Sequence, residues 1–99
     1  MEFLVQISID LPSDLEPAKR STLSHAERER GQELVRNGSI IRIWRVGDPS
    51  AMDSGHLENV GLWDASDECE LRSLLSKLPF FPWMTVRVTP LRLHPLERG

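Results

Sequence analysis

One cysteine, Cys69, stands in the whole 99-residue sequence. It excludes an internal disulfide and a cysteine-rich zinc site, and leaves the cytoplasm as the expected location. No window approaches 18 consecutive apolar residues, so no membrane-spanning helix is expected. The opening residues MEFLVQISID carry Glu2 and Asp10 but no basic stretch, so they are not expected to act as a secretory signal. Basic residues are also in short supply. Twelve Lys and Arg against fifteen Asp and Glu give a formal charge of −3, which argues against nucleic acid as a partner. A glycine-rich phosphate loop, HExxH, CxxC and a serine nucleophile elbow are all missing. His25, His56 and His94 lie far apart without ligand spacing, so no metal site is expected. Spacing alone names no reaction.

What is there suits one small domain over residues 1–99, with a thin core built from a 39% hydrophobic share. Charge is unevenly placed. Residues 48–70 hold Asp48, Asp53, Glu58, Asp64, Asp67, Glu68 and Glu70 and no Lys or Arg. An anionic ligand would have to use the cations before that run, namely Lys19, Arg20, Arg42 and Arg45.

Residues 2–9 alternate, with Phe3, Val5, Ile7 and Ile9 on one face, which predicts a half-buried strand. Ser13 to Glu16, or Ser24 to Glu27, has capping-box spacing, and Asn37-Gly38 reads as a helix stop. Between them Leu23, Ala26, Arg30 and Leu34 share a helical face, with Val35 beside it. That stripe is weak: Glu27, Glu29, Arg30 and Glu33 fall where a core helix would carry Leu or Ile. Either the helix is highly exposed, or part of it lines a polar cavity.

Residues 39–47 predict a second strand, with Ile41 and Ile43 on one side and Ile40, Trp44 and Val46, with Arg42, on the other. Both faces are apolar, so the face without helices wants a cover, and homo-oligomerisation supplies one. Residues 48–55 read as a turn-rich loop and 57–63 as a third strand interrupted by Gly61. Asp64-Ala-Ser-Asp opens a second helix with Leu71, Leu74, Leu75 and Leu78 at i, i+3, i+4, i+7. Residues 83–93 form a last strand in which Pro90 marks an edge or bulge, with Met84, Val86 and Val88 on one face. The order β-α-β-β-α-β predicts an α+β, ferredoxin-like sandwich, an antiparallel sheet with two helices on one face.

The chain also resembles the muconolactone Δ-isomerase family nearly end to end. The matching stretches are MEFLVQISIDLP, Asp14, Pro17-Ala18-Lys19, Glu27, Gln32-Glu33-Leu34, Arg36, Gly38 and Trp44-Arg45. The C-terminal block LPFFPWMTVRVTPLRLHP is the most specific. The resemblance implies a ferredoxin-like fold, a large homo-oligomer (a decamer) and a double-bond shift in a butenolide bearing an acetate arm, within the β-ketoadipate route of aromatic breakdown. It implies no cofactor.

That reaction needs a base for a ring proton, donors for the dienolate oxygen, and a cation for the acetate arm. The family match assigns Glu27 as the base and His56 as donor or proton exchanger. Arg45 is the carboxylate clamp, with Lys19 as second candidate, and Trp44 and Asn59 shape the pocket. Phe80, Phe81 and Trp83 read as core or interface aromatics. The link between Arg45 and His56 is longer than the family's, and Leu57 stands where the family has a tyrosine. A substituted lactone, chloride elimination from a chlorinated one, or a non-catalytic ligand-binding module on the same fold therefore stay open as alternatives.

Overall fold

A computed structural model describes residues 1–47 and 55–98. Strand β1 runs over Glu2–Asp10, helix α1 over Pro17–Arg36 and strand β2 over Ile40–Val46. Strand β3 spans His56–Asp64, helix α2 Glu68–Ser76 and strand β4 Met84–Pro90. The strands form one antiparallel sheet in the order β2-β3-β1-β4, as the ferredoxin-like reading expects. Apart from Gly55, the turn-rich loop expected over 48–55 lies outside the described residues.

The alternation of β1 decides which face is covered. Phe3, Val5, Ile7 and Ile9 are at most 4% exposed and meet Leu34 of α1, Leu71 and Leu75 of α2, then Leu78 and Phe80. Directly paired residues in neighbouring strands point to the same side. The covered face therefore continues onto β3 through Leu57, Asn59, Gly61 and Trp63, and onto β4 through Met84, Val86 and Val88. Val35, Ile41, Ile43, Trp44, Val46 and Phe81 are 39–51% exposed, so the chain leaves much apolar surface unburied.

Four local expectations need correction. Neither capping box forms: α1 starts at Pro17 behind Glu16, with no side chain capping it, and Ser24 and Glu27 are mid-helix. Proline at the first position has no N–H to cap and presets φ, so the start needs no serine. Ile40 belongs to the covered face, not with Trp44. A register shift between Ile40 and Arg42 takes up Ile41 as the extra residue, which moves Ile40 opposite Trp63. Gly61 does not interrupt β3, whose pairing with β1 is continuous from His56 to Asp64. The last strand ends at Pro90 on the sheet edge, where a missing N–H costs nothing.

The second helix follows its pattern closely. Asp67 caps it, its side chain accepting the Glu70 N–H at 2.8 Å, and Glu68 and Glu70 sit at its positive end.

Candidate active site

Glu27 projects from the weakly apolar face of α1 and is half-buried. Its Oε1 accepts the backbone N–H of Phe80 at 2.8 Å, which ties α1 to the Pro79–Pro82 segment behind α2. Burial pushes the carboxyl above its ordinary 4.5, and the Phe80 hydrogen bond only partly offsets this. Of the two readings of the helix's charged stripe, Glu27 favours a polar site over simple exposure.

The connection from α1 to β2 is only residues 37–39, so earlier residues of α1 lie beside later residues of β2. A groove between them is lined by Arg28, Gly31, Gln32, Val35, Ile40 and Ile43. Glu27 lies one helical turn before Gly31, an advance of about 6 Å. Arg45 lies two residues past Ile43, an advance of about 7 Å. Both advances run the same way along the sheet, from the groove toward the end that carries the row Arg45–Asn59–Ile7.

Asn59 is on the covered face in that row. Its Oδ1 is buried without a hydrogen-bond partner among the described residues. Two residues on, Gly61 leaves the face bare. A Cβ there would lie 2.9 Å from Nε1 of Trp63, so the indole lies folded back along β3 over the glycine. Trp63 is 1% exposed, and its indole nitrogen is also buried without a partner among the described residues. Each such atom costs about 1–3 kcal/mol of desolvation.

Arg45 is exposed at the β2 edge of the covered side and forms no ion pair among the described residues. Lys19 is exposed on the first turn of α1. Arg20, seven residues before Glu27 and so on the same helix face, is half-buried with its guanidinium against Gly55.

His56 and Trp44 do not converge with Glu27. His56 pairs across the sheet with Asp10 and faces the open side, where its Nδ1 is 2.6 Å from Asp10 Oδ1 and its Nε2 is 3.5 Å from Glu58. The hydrogen bond to Asp10 is the main cause of its raised pKa; desolvation works against it, and the charge of Asp10 and the contact with Glu58 raise it further. Trp44 is on the same open side, its ring beneath the guanidinium of Arg42 at 5.6 Å. Asn59 and Arg45 thus share the sheet face that α1, the helix of Glu27, covers, whereas His56 and Trp44 lie on the opposite face. Phe80 is buried, Trp83 half-buried and Phe81 39% exposed. Trp63 was missed by sequence reasoning; the signal was Gly61, since a glycine inside a strand marks a close approach.

Comparison with known proteins agrees with this frame. Residues 1–97 match the family model described as muconolactone delta-isomerase. A muconolactone Delta-isomerase of Pseudomonas putida is 35% identical, the match covering 96% of this chain and 92% of the relative. One of Rhodococcus opacus is 33% identical over 93% of this chain and 91% of the relative. A crystal structure of muconolactone isomerase superposes with a TM-score of 0.81 at 35% identity, covering 96% of this chain and 92% of that one. A 5-chloro-2-hydroxyhydroquinone dehydrochlorinase of Burkholderia phenoliruptrix shares the fold at a TM-score of 0.65 and 18% identity, covering 93% of this chain and 94% of that one.

Proposed function

The chain is an isomerase of the muconolactone delta-isomerase family, and we propose that it shifts the ring double bond of muconolactone or a close relative by carboxylate-mediated proton transfer, in the breakdown of aromatic compounds. The observation that carries this reading is Glu27. It is a carboxylate already partly removed from water, fixed by one backbone hydrogen bond, and basic above the ordinary range.

The chemistry follows from that placement. Glu27 takes the proton from the ring carbon that bears the acetate arm. The electrons move through the C=C bond onto the lactone carbonyl, giving a dienolate. The same carboxyl returns the proton to the ring carbon beside the carbonyl. The two carbons are separated by one atom, so a single group can serve both. A raised pKa brings the carboxylate closer to matching the acidity of the ring proton. Arg45 holds the acetate carboxylate, with Lys19 and Arg20 as further cations on α1, and Asn59 lines the ring. No step calls for a cofactor.

We assign His56 and Trp44 to the open face, together with Val46 and Ile41, where a second copy of the chain covers them. This supports a homo-oligomer, with the family's decamer as the expected form. Light scattering is expected to give a mass several times 11.3 kDa, and a monomer at micromolar concentration would refute it.

The test of function is an ultraviolet assay on muconolactone. Glu27→Gln is expected to lower kcat by about 10²–10⁴-fold. An undiminished rate removes Glu27 from the mechanism. A second reading, a substituted lactone, is favoured by Leu57. It sits half-buried on the covered face of β3, two residues from Asn59, where the family's tyrosine would have offered a hydroxyl. On a chlorinated ring the same proton abstraction, followed by departure of chloride, would lose HCl. Turnover of a substituted or chlorinated lactone with none of muconolactone decides for it.

A further inference from the structure

Among the described residues, β3 carries one buried donor, Trp63 Nε1, and one buried acceptor, Asn59 Oδ1, without hydrogen-bond partners. Asn59, Gly61 and Trp63 form one row on the covered face of a single strand. The middle position carries no side chain, and the indole lies across it with its N–H buried and unmet among the described residues. Adding even a Cβ would displace it. A fold seldom leaves a buried donor unpaired, and when it does the atom commonly waits for a water or a ligand. Resting on the proposed isomerase reaction, we infer that the Trp63 indole N–H, with the Asn59 side-chain amide beside it, receives the lactone carbonyl oxygen and stabilises the dienolate.

The chemistry of the donors fits that oxygen. The carbonyl is neutral in the bound lactone and carries charge once Glu27 has taken the ring proton. The one unpartnered donor, Trp63 Nε1, gains most where the charge appears, so it favours the transition state over the ground state, and an Asn59 amide turned to present its N–H adds to it. A cation there would bind the substrate's own carboxylate instead and turn the ring around. Arg45 stands at the edge strand and Trp63 Nε1 over the central β3, so carboxylate and carbonyl have separate holders. The amide of Asn59 presents either its oxygen or its nitrogen on a half-turn, and the carbonyl selects the N–H. The Trp63 ring is held by its packing, 1% exposed in the chain without ligand, so the donor is in place before the reaction.

The first measurement is kinetic. Trp63→Phe keeps an aromatic ring and removes the donor. Loss of one such donor is expected to lower kcat by about 10²–10³-fold with KM little changed. A purely packing role would lower thermal stability and leave kcat of the folded variant near wild type, which overturns the inference while Glu27→Gln still reports on the reaction. An inactive wild-type protein across the lactone panel would instead sink the proposed function, and the inference with it.

The second measurement does not depend on a variant at Trp63 folding. The three tryptophans give three indole N–H signals in a nitrogen–proton correlation spectrum. Trp44→Phe and Trp83→Phe assign two of them and leave the third to Trp63. Titration with the saturated γ-lactone acetate, which cannot isomerise, is expected to move the Trp63 signal downfield to a plateau. An unmoved Trp63 signal, whether from a permanent bridging water or from failure of the analogue to seat there, overturns the assignment.

Discussion

On the helix-covered face of the sheet, Asn59 Oδ1 and Trp63 Nε1 have left water without finding partners among the described residues, whereas on the open face His56 pairs with Asp10 and with Glu58 and Arg42 lies over Trp44. Both faces belong to the same strands, often to adjacent residues. Polar groups that face water pair cheaply, and exposed pairs of this kind are worth about 0–1 kcal/mol. Asn59 Oδ1 and Trp63 Nε1 under the helices have given up hydration without a hydrogen bond among the described residues in return. On the proposed reading the covered face is where the chemistry takes place, and the open face, with Trp44 and Val46 about half exposed, is where a second copy docks.

The largest test of that contrast is the pH dependence of Glu27. Its carboxyl must be ionised to act as a base, and burial holds it above 4.5. The acid limb of kcat/KM is expected to lie above 4.5 and to disappear in what activity remains to Glu27→Gln. A limb at or below 4.5, set by an ordinary carboxylate, breaks the link between burial and basicity. Next in size is the core that holds α2 down. Leu75 is 1% exposed, and Leu75→Ala is expected to cost about 2–5 kcal/mol in urea unfolding. A matching truncation on the open face, Val46→Ala, is expected to cost the isolated chain far less, since Val46 is 45% exposed. Equal costs would mean that the faces are not distinct. Smaller again is Gly61→Ala. The added Cβ would meet Trp63 at 2.9 Å, and relieving that overlap is expected to cost about 1–3 kcal/mol and to shift the Trp63 indole signal. An unperturbed spectrum would show the indole has room that the fold denies it.

Much of this contrast was legible in the sequence, for reasons that differ by element. The period of β1 and the leucine spacing of α2 each repeat often enough to fix a buried face, and both faces are buried as expected. Glu27 was legible as a carboxylate on a weak stripe. Ile40 was not, because one extra residue in an edge strand reverses every side before it and needs no glycine to announce itself. His56 and Asn59 were expected to share a pocket with His56 in a loop. The strand instead begins at His56, and residues three apart in a strand face opposite ways. Trp44 and Arg45, being adjacent, are separated by the same rule. Trp63 was hidden because a strand tryptophan reads as core; its unpaired nitrogen depends on where the ring folds, which composition does not encode.

The smallest expected effect lies on the open face, and it sharpens the comparison by its smallness. His56 donates to Asp10 at 2.6 Å and faces Glu58, and these raise its pKa above the ordinary 6.5. A histidine whose folded pKa is raised stabilises the fold fully below the unfolded value, near 6.5, and loses that contribution as pH rises through the folded value. The ring is exposed, so water and salt screen the charges on either side. Asp10→Asn removes the main cause, and the His56 ring signals are then expected to titrate at lower pH than in the wild type. Stability should change only within the window between the two titrations and by little, and the isomerase rate should not follow it, because His56 stands across the sheet from Glu27. A rate that fell with the Asp10→Asn titration would place His56 in the reaction, reached from a neighbouring copy, and the two faces would then act as one site across the subunit boundary.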